Sequence, residues 1–280
     1  MPAQVIDGKA IAQQIKDEQK ARLAELGFTP TLVVIKVGND QASEVYVRNK
    51  TKACEYVGIR PETYNMAETT SEDDLLKLID KLNKDKHVDG ILVQLPLPGH
   101  IDSEKIINSI NPDKDVDGFN PINVGKLVTG DTSGIVPCTP AGIIELLKRS
   151  KTKISGANAV VIGRSNIVGK PVAALLLREN ATVTVCHSKT PSIKSFTKFA
   201  DIVISAVGQA DFLYSADLNY FTTVIDVGIN RDSDGKLCGD CHKSVYDRVK
   251  AYTPVPGGVG PMTVAMLMKN TIDCAIKQRN

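Results

Sequence analysis

One segment, residues 159–171 (AVVIGRSNIVGKP), constrains the fold of this chain more than any other. Its four apolar residues, 159–162, run directly into Gly163 and are typical of a buried parallel strand. Small and polar residues follow, and a helix-permissive run begins at Asn166. This order predicts a phosphate site, because backbone N–H groups converge in the turn and a helix N-terminus carries about half a positive charge. The glycines do not fit the spacing G-x-G-x-x-G, so an ordinary strand-to-helix turn stays open as an alternative.

The next apolar run, residues 181–186 (ATVTVC), indicates which dinucleotide the turn would bind. At the end of the second strand of such folds, an acid binds the free ribose hydroxyl of NAD, whereas a basic residue accepts the 2′-phosphate of NADP. Here the run ends in His187, Ser188 and Lys189, without an acid. Arg164 could also reach that phosphate as a bidentate fork. The sequence therefore favours NADP over NAD, unless Arg164 and Lys189 are only solvated.

Length and charge narrow the class of protein. A chain of 280 residues can hold two domains of ordinary size. The net charge of +2 is too small to predict a nucleic-acid partner or a membrane surface, and no run reaches the roughly 18 apolar residues of a membrane span. The first ten residues have neither the apolar core of a secretory signal nor the Arg/Ser richness of a transit peptide, so we expect a cytoplasmic protein.

The six cysteines are scattered and form no disulfide framework. Cys238 and Cys241, followed by His242, match the C-x-x-C-H pattern of haem attachment. Covalent haem attachment would need export, and no export signal is seen. We therefore prefer coincidence near a surface turn to a haem or a zinc site as the interpretation of this pattern. We predict no bound metal.

The order of apolar runs and caps predicts an α/β protein of two domains. The first, residues 1–139, is the candidate catalytic domain and includes a loop-rich passage over 111–137. Its expected helices cover 8–26, 41–57, 72–83 and 103–110, and its strands cover 31–37, 90–95 and a short possible strand at 63–66.

The second domain, residues 140–260, alternates strands with helices and is therefore expected to be a Rossmann-type, doubly wound parallel sheet. Its expected strands cover 159–162, 182–186, 202–206, 224–227 and 251–253. A last helix, about 261–280, is expected to pack back on the first domain. Because helices rather than a flexible tether join the domains, we expect a fairly rigid active-site cleft between them.

Several polar residues stand where chemistry could occur, although each also has a plain interpretation. Tyr46 and Lys50 are four apart on one helix face, a spacing that also arises by chance. Short-chain dehydrogenases use Tyr-x-x-x-Lys too, but their Gly-rich turn precedes the pair. Gln94 closes an apolar strand, where it could contact a ligand or cap backbone groups. Asp117 could bind a substrate amidine or be a solvated turn acid. Its segment, PDKDVDGF, could also be interpreted as a calcium loop, but it lacks the bidentate Glu of such loops.

Residues 254–261 (PVPGGVGP) form a rigid, Gly-rich turn. Its glycines permit a flat ligand to approach the backbone closely, and a plain connecting loop is the alternative.

Taken together, these motifs resemble those of the bifunctional methylenetetrahydrofolate dehydrogenase/cyclohydrolase family. The matching motifs cover essentially the whole chain in the family's order: VYVRNK, VQLPLP, DKDVDGF, PCTP, VIGRSNIVGKP, CHSKT, DVGIN and TPVPGGVGPMTVAML. The resemblance implies hydride transfer from 5,10-methylenetetrahydrofolate to NADP. Hydrolysis of the 5,10-methenyl cation to 10-formyltetrahydrofolate then follows in the same cleft.

The resemblance also implies roles for single residues. Lys50 is the catalytic residue of the hydrolytic step, where a neutral amine could accept a proton from water. Tyr46 stacks on the aminobenzoyl ring of the folate, Gln94 hydrogen-bonds Lys50, and Asp117 holds the pterin edge. Further substrate contacts are Val93, Leu95, Pro256, Gly257, Gly258, Val259, Gly260 and Pro261. The implied cofactor contacts are Gly163, Arg164, Ser165, Ser188 and Ile229.

The expected partners are a folate substrate, with or without a polyglutamate tail, and a second copy of the chain. The homodimer is expected because the parallel sheet leaves an edge and the family resembled is dimeric through that domain. One departure is Cys241, which stands where the family's segment usually reads G-D-V. Two alternatives stay open: another two-domain NADP dehydrogenase of the shikimate type, and a non-catalytic nucleotide-binding module.

Overall fold

The computed structural model describes residues 2–279 and divides the chain into two compact units. The N-terminal unit comprises Gln14–Cys138 and Val264–Asn280, and the C-terminal unit comprises Met1–Gln13 and Thr139–Thr263. The first thirteen residues, which the sequence analysis assigns to the N-terminal domain, thus belong to the C-terminal unit.

The chain alternates helices and strands over most of its length. The helices are α1 (Gly8–Leu26), α2 (Gln41–Val57), α3 (Glu72–Lys84), α4 (Ser103–Ser109), α5 (Pro121–Thr129), α6 (Cys138–Arg149), α7 (Gly169–Arg178), α8 (Lys194–Thr197) and α9 (Val259–Lys277). The strands are β1 (Gln4–Val5), β2 (Thr31–Val37), β3 (Arg60–Met66), β4 (Gly90–Val93), β5 (Asn158–Ile162), β6 (Thr182–Cys186), β7 (Ile202–Ser205), β8 (Thr223–Asp226), β9 (Asn230–Arg231), β10 (Leu237–Cys238) and β11 (Ala251–Tyr252).

The N-terminal unit is built on a three-stranded parallel sheet of order β3-β2-β4. Every residue of β2 is buried, as expected for the central strand of a sheet covered on both faces. One face packs on apolar side chains of α3 and α4, among them Leu75, Ile79 and Ile106. The carboxyl ends of β2 and β4 lie side by side, because Ile35 pairs with Val93.

Two elements of this unit differ from the expectation. β3 pairs with β2 over its full length, Arg60–Met66, although the sequence predicts only a short strand at 63–66. Pro61 is tolerated because β3 is an edge strand of this sheet. The helix α5 occupies part of the predicted loop over 111–137; Asn120 caps it by accepting the backbone N–H of Ile122 at 2.9 Å, and Gly130 ends it with a φ of 80°.

The C-terminal unit is built on a six-stranded, all-parallel sheet of order β1-β11-β8-β7-β5-β6. This confirms the predicted α/β class with parallel sheets. The alternation of strand and helix is not complete, however. Between β7 and β8 the described chain has only a 3₁₀ turn, Ser215–Asp217, and between β8 and β11 it forms the antiparallel pair β9–β10 and a second 3₁₀ turn.

All six cysteines are free thiols, and Cys241 is buried among apolar residues of the C-terminal unit. Within residues 2–279, no group of three or more His, Cys, Asp or Glu side chains is arranged to hold a metal ion. In the same range, every helix is too short or too polar to cross a membrane.

Candidate active site

Lys50 and Gln94 are joined by a hydrogen bond in the N-terminal unit. Lys50 Nζ on α2 donates to Oε1 of Gln94 at 2.9 Å. Gln94 follows Val93, the buried last residue of β4, and its backbone N–H donates to Ile35 at 2.8 Å. Its side-chain nitrogen donates to the carbonyl of half-buried Leu95 at 2.7 Å, so the amide oxygen is the atom that faces the lysine. Lys50 as a whole is only 9 % exposed, and its amine is held by a neutral acceptor.

Tyr46 lies one turn before Lys50 on α2, and its side chain is 40 % exposed. The helix begins at a cap in which the carboxylate of Asp40 accepts the backbone N–H of Ser43 at 2.7 Å. It ends at Gly58, which has a left-handed φ of 101°. These two caps fix where the helix starts and stops, and the helical geometry between them places Tyr46 and Lys50 on one face.

A tight turn in the same unit presents Asp117. The buried carboxylate of Asp115 accepts backbone N–H groups of Gly118 at 3.1 Å and Asn120 at 2.8 Å. The side-chain amide of Asn123 donates to it at 2.9 Å. Gly118 has a φ of 71°, and a Cβ there would lie 2.7 Å from neighbouring backbone atoms. The turn therefore needs both the buried acid and the glycine.

Asp117 is a carboxyl group with a raised pKa beside the lysine. Burial raises the pKa of Asp117 to about 6, the positive charge of Lys50 opposes this, and the charge of Asp115 adds to it. Cys138 is affected by the same neighbours: burial and the charge of Asp117 raise the pKa of its thiol, against the effect of Lys50. An amine, an amide and a titratable carboxyl thus share one region of the N-terminal unit.

Asn270 is a residue that the sequence analysis does not select. It lies on α9, and its amide donates to the carbonyls of Val116 and Val136, each at 2.9 Å. It also donates to Sγ of Cys138 at 3.4 Å. Asn270 thereby ties the backbone before Asp117 to the segment that leads into α6. The one signal in the sequence that points to it is an amide within the apolar run AMLMKNTI.

In the C-terminal unit, the turn after β5 is formed by glycines in close contact. Gly163 has a φ of 115°, and a Cβ there would lie 2.3 Å from the carbonyl of Ala206. A Cβ at Gly169 would lie 2.3 Å from the carbonyl of Gly163. Ser165 Oγ accepts two backbone N–H groups at the start of α7, each at 3.2 Å. The helix therefore begins at Gly169 rather than at Asn166.

A cavity of about 500 Å³ opens at the carboxyl ends of β5, β6 and β7. Its lining residues are Ile162, Gly163, Arg164, His187, Ser188, Thr190, Ile193, Ala206, Val207, Gln209 and Phe212. Of the five cofactor residues that the resemblance implies, Gly163, Arg164 and Ser188 belong to this lining. Ser165 and Ile229 do not belong to it: the hydroxyl of Ser165 accepts the N–H groups of Val168 and Gly169, and Ile229 is exposed.

The turn after β6 holds its polar residues in a fixed arrangement. The backbone N–H of His187 donates to Oγ1 of Thr190 at 2.9 Å, and that of Lys189 donates to Nδ1 of His187 at 3.1 Å. Ser188 lines the cavity together with Arg164, whereas Lys189 is exposed and lies outside the lining. A guanidinium and a hydroxyl at such a cavity suit a phosphorylated ribose, so these residues fit the dinucleotide that the sequence predicts.

The Gly-rich segment before α9 packs against the start of α1 in the same C-terminal unit. A Cβ at Gly8 would lie 1.8 Å from the carbonyl of Gly258, and the backbone N–H of Lys9 donates to Gly257 at 3.0 Å. Gly257 has a φ of 111°, a backbone conformation that favours glycine. The predicted substrate residues of this segment are Pro256, Gly257, Gly258, Val259, Gly260 and Pro261.

Two family models match the chain, one for each part. Residues 6–117 match the catalytic domain of tetrahydrofolate dehydrogenase/cyclohydrolase. Residues 137–279 match the NAD(P)-binding domain of the same family.

Whole proteins and solved structures are similar over nearly the full length. The bifunctional protein FolD of Agathobacter rectalis is 58 % identical over 275 residues, which cover 97 % of this chain and 98 % of that protein. The bifunctional FolD methylenetetrahydrofolate dehydrogenase/cyclohydrolase from Campylobacter jejuni has a TM-score of 0.95 at 47 % identity and covers 98 % of this chain and 99 % of its own. The Trypanosoma brucei enzyme, complexed with NADP and an inhibitor, has a TM-score of 0.94 at 39 % identity. The match covers 100 % of this chain and 99 % of that one.

A shikimate dehydrogenase from Aquifex aeolicus has a TM-score of 0.54 at 13 % identity, covering 90 % of this chain and 98 % of that one, which is a likeness of fold alone. The shikimate-type alternative is therefore wrong, and so is the non-catalytic module, because the matched family is one of enzymes. The family predicted from the motifs is confirmed, and the chain belongs to the bifunctional methylenetetrahydrofolate dehydrogenase/methenyltetrahydrofolate cyclohydrolase family.

Proposed function

We propose that this enzyme oxidises 5,10-methylenetetrahydrofolate with NADP and then hydrolyses the 5,10-methenyl product to 10-formyltetrahydrofolate. The observation that carries the proposal is the amine of the buried residue Lys50, held by Gln94 at 2.9 Å with the carboxyl of Asp117 in electrostatic reach. Hydrolysis needs a group that takes a proton from water, and binding needs a carboxylate for a polar heterocycle. Both groups are present in this region.

In the hydrolytic step, Lys50 acts as the general base. The methenyl cation disfavours a second positive charge beside it, so Lys50 first releases its ammonium proton to solvent. The oxygen of water then bonds to the bridging methenyl carbon, and the free amine of Lys50 accepts one proton from that water. The bond from this carbon to N5 then breaks, N5 takes a proton from the lysine, and the remaining hydroxyl proton leaves to solvent as the formyl group forms. Gln94 keeps Nζ in place without adding a negative charge, because its acceptor is an amide oxygen.

The other residues of the N-terminal unit would bind and orient the folate. The exposed ring of Tyr46 can stack on the aminobenzoyl ring. The ionised carboxylate of Asp117 can accept N–H groups from the pterin edge. Val93 and Leu95 flank Gln94. Residues 256–261 belong to the C-terminal unit. Their proposed contact with the folate rests on the family resemblance and on glycines that permit a flat ring to approach the backbone.

The oxidation step needs alignment rather than an acid or a base. NADP, when bound, would supply the acceptor for the hydride. We assign recognition of its 2′-phosphate to Arg164 and Ser188, which line the cavity of the C-terminal unit. Gly163 and Ser165 shape the turn, and Ile229 is a further proposed contact.

The substitution Arg164→Ala tests this choice of cofactor. A charge-assisted hydrogen bond is worth about 1.5–3 kcal/mol, so the KM for NADP is expected to rise by about tenfold to a hundredfold, and the KM for NAD far less. Initial rates with each cofactor measure the two constants. Equal losses for both cofactors would show that Arg164 supports the fold of the turn rather than the phosphate.

The activity itself is tested by mixing the protein with 5,10-methylenetetrahydrofolate and NADP while absorbance is followed. We expect NADPH to form and methenyl-folate to appear and then decay. Formation of NADPH with stable methenyl-folate would contradict the hydrolytic half, and no reduction of either NADP or NAD would contradict the oxidative half. Reaction mixtures without folate provide the baseline.

We also propose that the enzyme is a homodimer. The supporting observation is β6, which lies at one end of the sheet order and consists of β-branched residues up to Cys186. Its Val185 is 39 % exposed. An edge of this kind offers unpaired backbone groups to a second copy of the chain.

A further inference from the structure

The carboxylate of Asp240 is fully buried and accepts four hydrogen bonds within the C-terminal unit. Oδ2 accepts the backbone N–H of Val207 at 2.8 Å and the hydroxyl of Ser205 at 3.2 Å. Oδ1 accepts the backbone N–H of Gln209 and the side-chain amide of Asn230, each at 3.0 Å. Asp240 is 0 % exposed, and all four donors are neutral. A carboxylate in such a place is stable only while its donors stay in position.

Three of these four donors belong to the segment at the end of β7. Val207 and Gln209 themselves line the cavity assigned to the dinucleotide, and so does Ala206. The backbone carbonyl of Asp240 also accepts the N–H of Phe212 at 2.7 Å, and Phe212 is another lining residue. Asp240 thus hydrogen-bonds three of the residues that line the cavity, Val207, Gln209 and Phe212, without lining it itself.

Asp240 is itself held by a second buried acid. Asp226 accepts the backbone N–H of Asp240 at 2.9 Å and that of Cys241 at 2.9 Å. Two glycines make room for the pair: a Cβ at Gly228 would lie 2.1 Å from Oδ1 of Asp240, and one at Gly239 would lie 2.0 Å from Oδ2 of Asp226. The chain therefore reserves space for two buried carboxylates, neither of which lines the cavity itself.

We propose that Asp240 is a positioning residue of the dinucleotide site, which fixes the segment 206–209 so that the cavity is formed before the cofactor binds. This rests on the proposed function, because the cavity is taken to bind the cofactor. Pre-organisation of a binding loop contributes to affinity by removing the cost of ordering it. Recognition of the 2′-phosphate is assigned above to Arg164 and Ser188 rather than to this segment, so Asp240 should support NADP and NAD alike.

The test uses Asp240→Asn. The side chain of asparagine has one acceptor oxygen, and an NH₂ group that can only donate replaces the other carboxylate oxygen. In either orientation of the amide, the backbone N–H of Val207 or of Gln209 therefore loses its acceptor and faces the NH₂ group. Dissociation constants for NADPH and NADH are measured by their fluorescence in equilibrium titrations. We expect both constants to rise by about tenfold to a hundredfold, as for a lost hydrogen bond to a charged group. Hydrolysis of supplied methenyl-folate without any dinucleotide should change little.

Two further variants accompany the test. Asn230→Ala removes one of the four donors and is expected to raise both dissociation constants severalfold. If Asp240→Asn does not fold, unchanged constants in Asn230→Ala would overturn the proposal. Asp234→Asn neutralises an exposed acid of the same β9–β10 connection and should leave both constants unchanged.

The outcomes separate this inference from the function on which it rests. Unchanged dissociation constants in folded Asp240→Asn would overturn it, and so would a loss of methenyl-folate hydrolysis parallel to the loss of affinity, which would indicate a general structural role. Arg164→Ala should weaken the binding of NADPH far more than that of NADH, in contrast to Asp240→Asn. A wild-type protein that binds neither dinucleotide would contradict the proposed function itself.

Discussion

At the scale of single residues, Lys50 separates the two reactions, because only hydrolysis passes a proton to the protein. Lys50→Met keeps much of the apolar stem and removes the base. General-base catalysis is worth about 10²–10⁴-fold, so cyclohydrolase activity is expected to fall by about that factor. Dehydrogenase activity should fall less, and methenyl-folate should accumulate. Separate absorbance assays for the two reactions measure this.

Lys52→Met provides the matched control, since Lys52 is an exposed lysine on the same helix. Exposed substitutions usually cost under about 0.5 kcal/mol, so both activities should stay within about twofold of the wild type. Equal loss of both activities in Lys50→Met would point to folate positioning and would contradict the role of Lys50 as the base.

Asp117 is expected to give the enzyme a lower pH limit. Burial raises the pKa of Asp117 to about 6, so below that pH the free enzyme holds a neutral carboxyl that no longer attracts the N–H groups of the pterin. The profile of kcat/KM for methylenetetrahydrofolate should therefore be level above this pKa and should fall about tenfold per pH unit below it. In Asp117→Asn, kcat/KM should be lower and the inflection absent. An inflection that survives in this variant would belong to another group.

Single residues differ in how far the sequence reveals them. Helical spacing places Tyr46 and Lys50 on one face, and Gln94 follows an apolar strand, but these patterns leave plain alternatives open. The roles of the three residues are predicted from the family resemblance. Asn270 could not be found in this way, because the carbonyl of Val116 that it binds is 154 residues away in sequence. Asp115 is one of three alternating acids, and the sequence does not show which of them is buried.

At the scale of elements, predictions succeed where an element has both a clear period and clear ends. The bounds of α2, Gln41–Val57, agree with the sequence, because Asp40 and Gly58 are strong caps. The helix α5, Pro121–Thr129, has cap signals too, but its nine residues give too little periodicity to stand out from the loop. Only the pairing with β2 shows that β3 extends past Pro61.

The turn that carries Asp117 allows a paired test of stability. Gly118→Ala is expected to destabilise the protein, because its φ of 71° is left-handed and the new Cβ would lie 2.7 Å from backbone atoms. The left-handed conformation alone costs about 1–2 kcal/mol, and the steric contact adds to it. Gly125→Ala, inside α5 with no atom near its Cβ, should instead stabilise by about 0.5–1 kcal/mol. Urea unfolding measures both, and equal effects would contradict this account of the turn.

At the scale of the whole molecule, the sequence predicts the kind of sheet and the edge strand β6, but not the strand at the opposite edge. The parallel sheet of the C-terminal unit follows from the spacing of its apolar runs. Its outermost strand β1 is only two residues long and is defined by pairing with β11, which lies far away in sequence. The β9–β10 pair is equally short. Such strands have no periodicity of their own, so only the folded chain identifies them.

The other edge of this sheet, β6, carries the prediction about assembly. Wild-type protein is expected to scatter light as a particle of twice the 30.2 kDa chain at micromolar concentration. In Val185→Lys, a charged side chain replaces one that is 39 % exposed on the edge strand, and lysine on an edge opposes pairing with another chain. The variant should therefore scatter as a single chain.

The matched control is Val128→Lys, which adds the same charge to the N-terminal unit at a side chain that is 71 % exposed. It should keep the mass of the wild type, since a dimer formed through β6 does not involve α5. Circular dichroism of both variants checks that each is folded. A wild-type protein of one chain would contradict the dimer. A wild-type dimer that survives Val185→Lys would place the interface away from β6, because a buried lysine on a paired edge would leave an uncompensated charge in the contact.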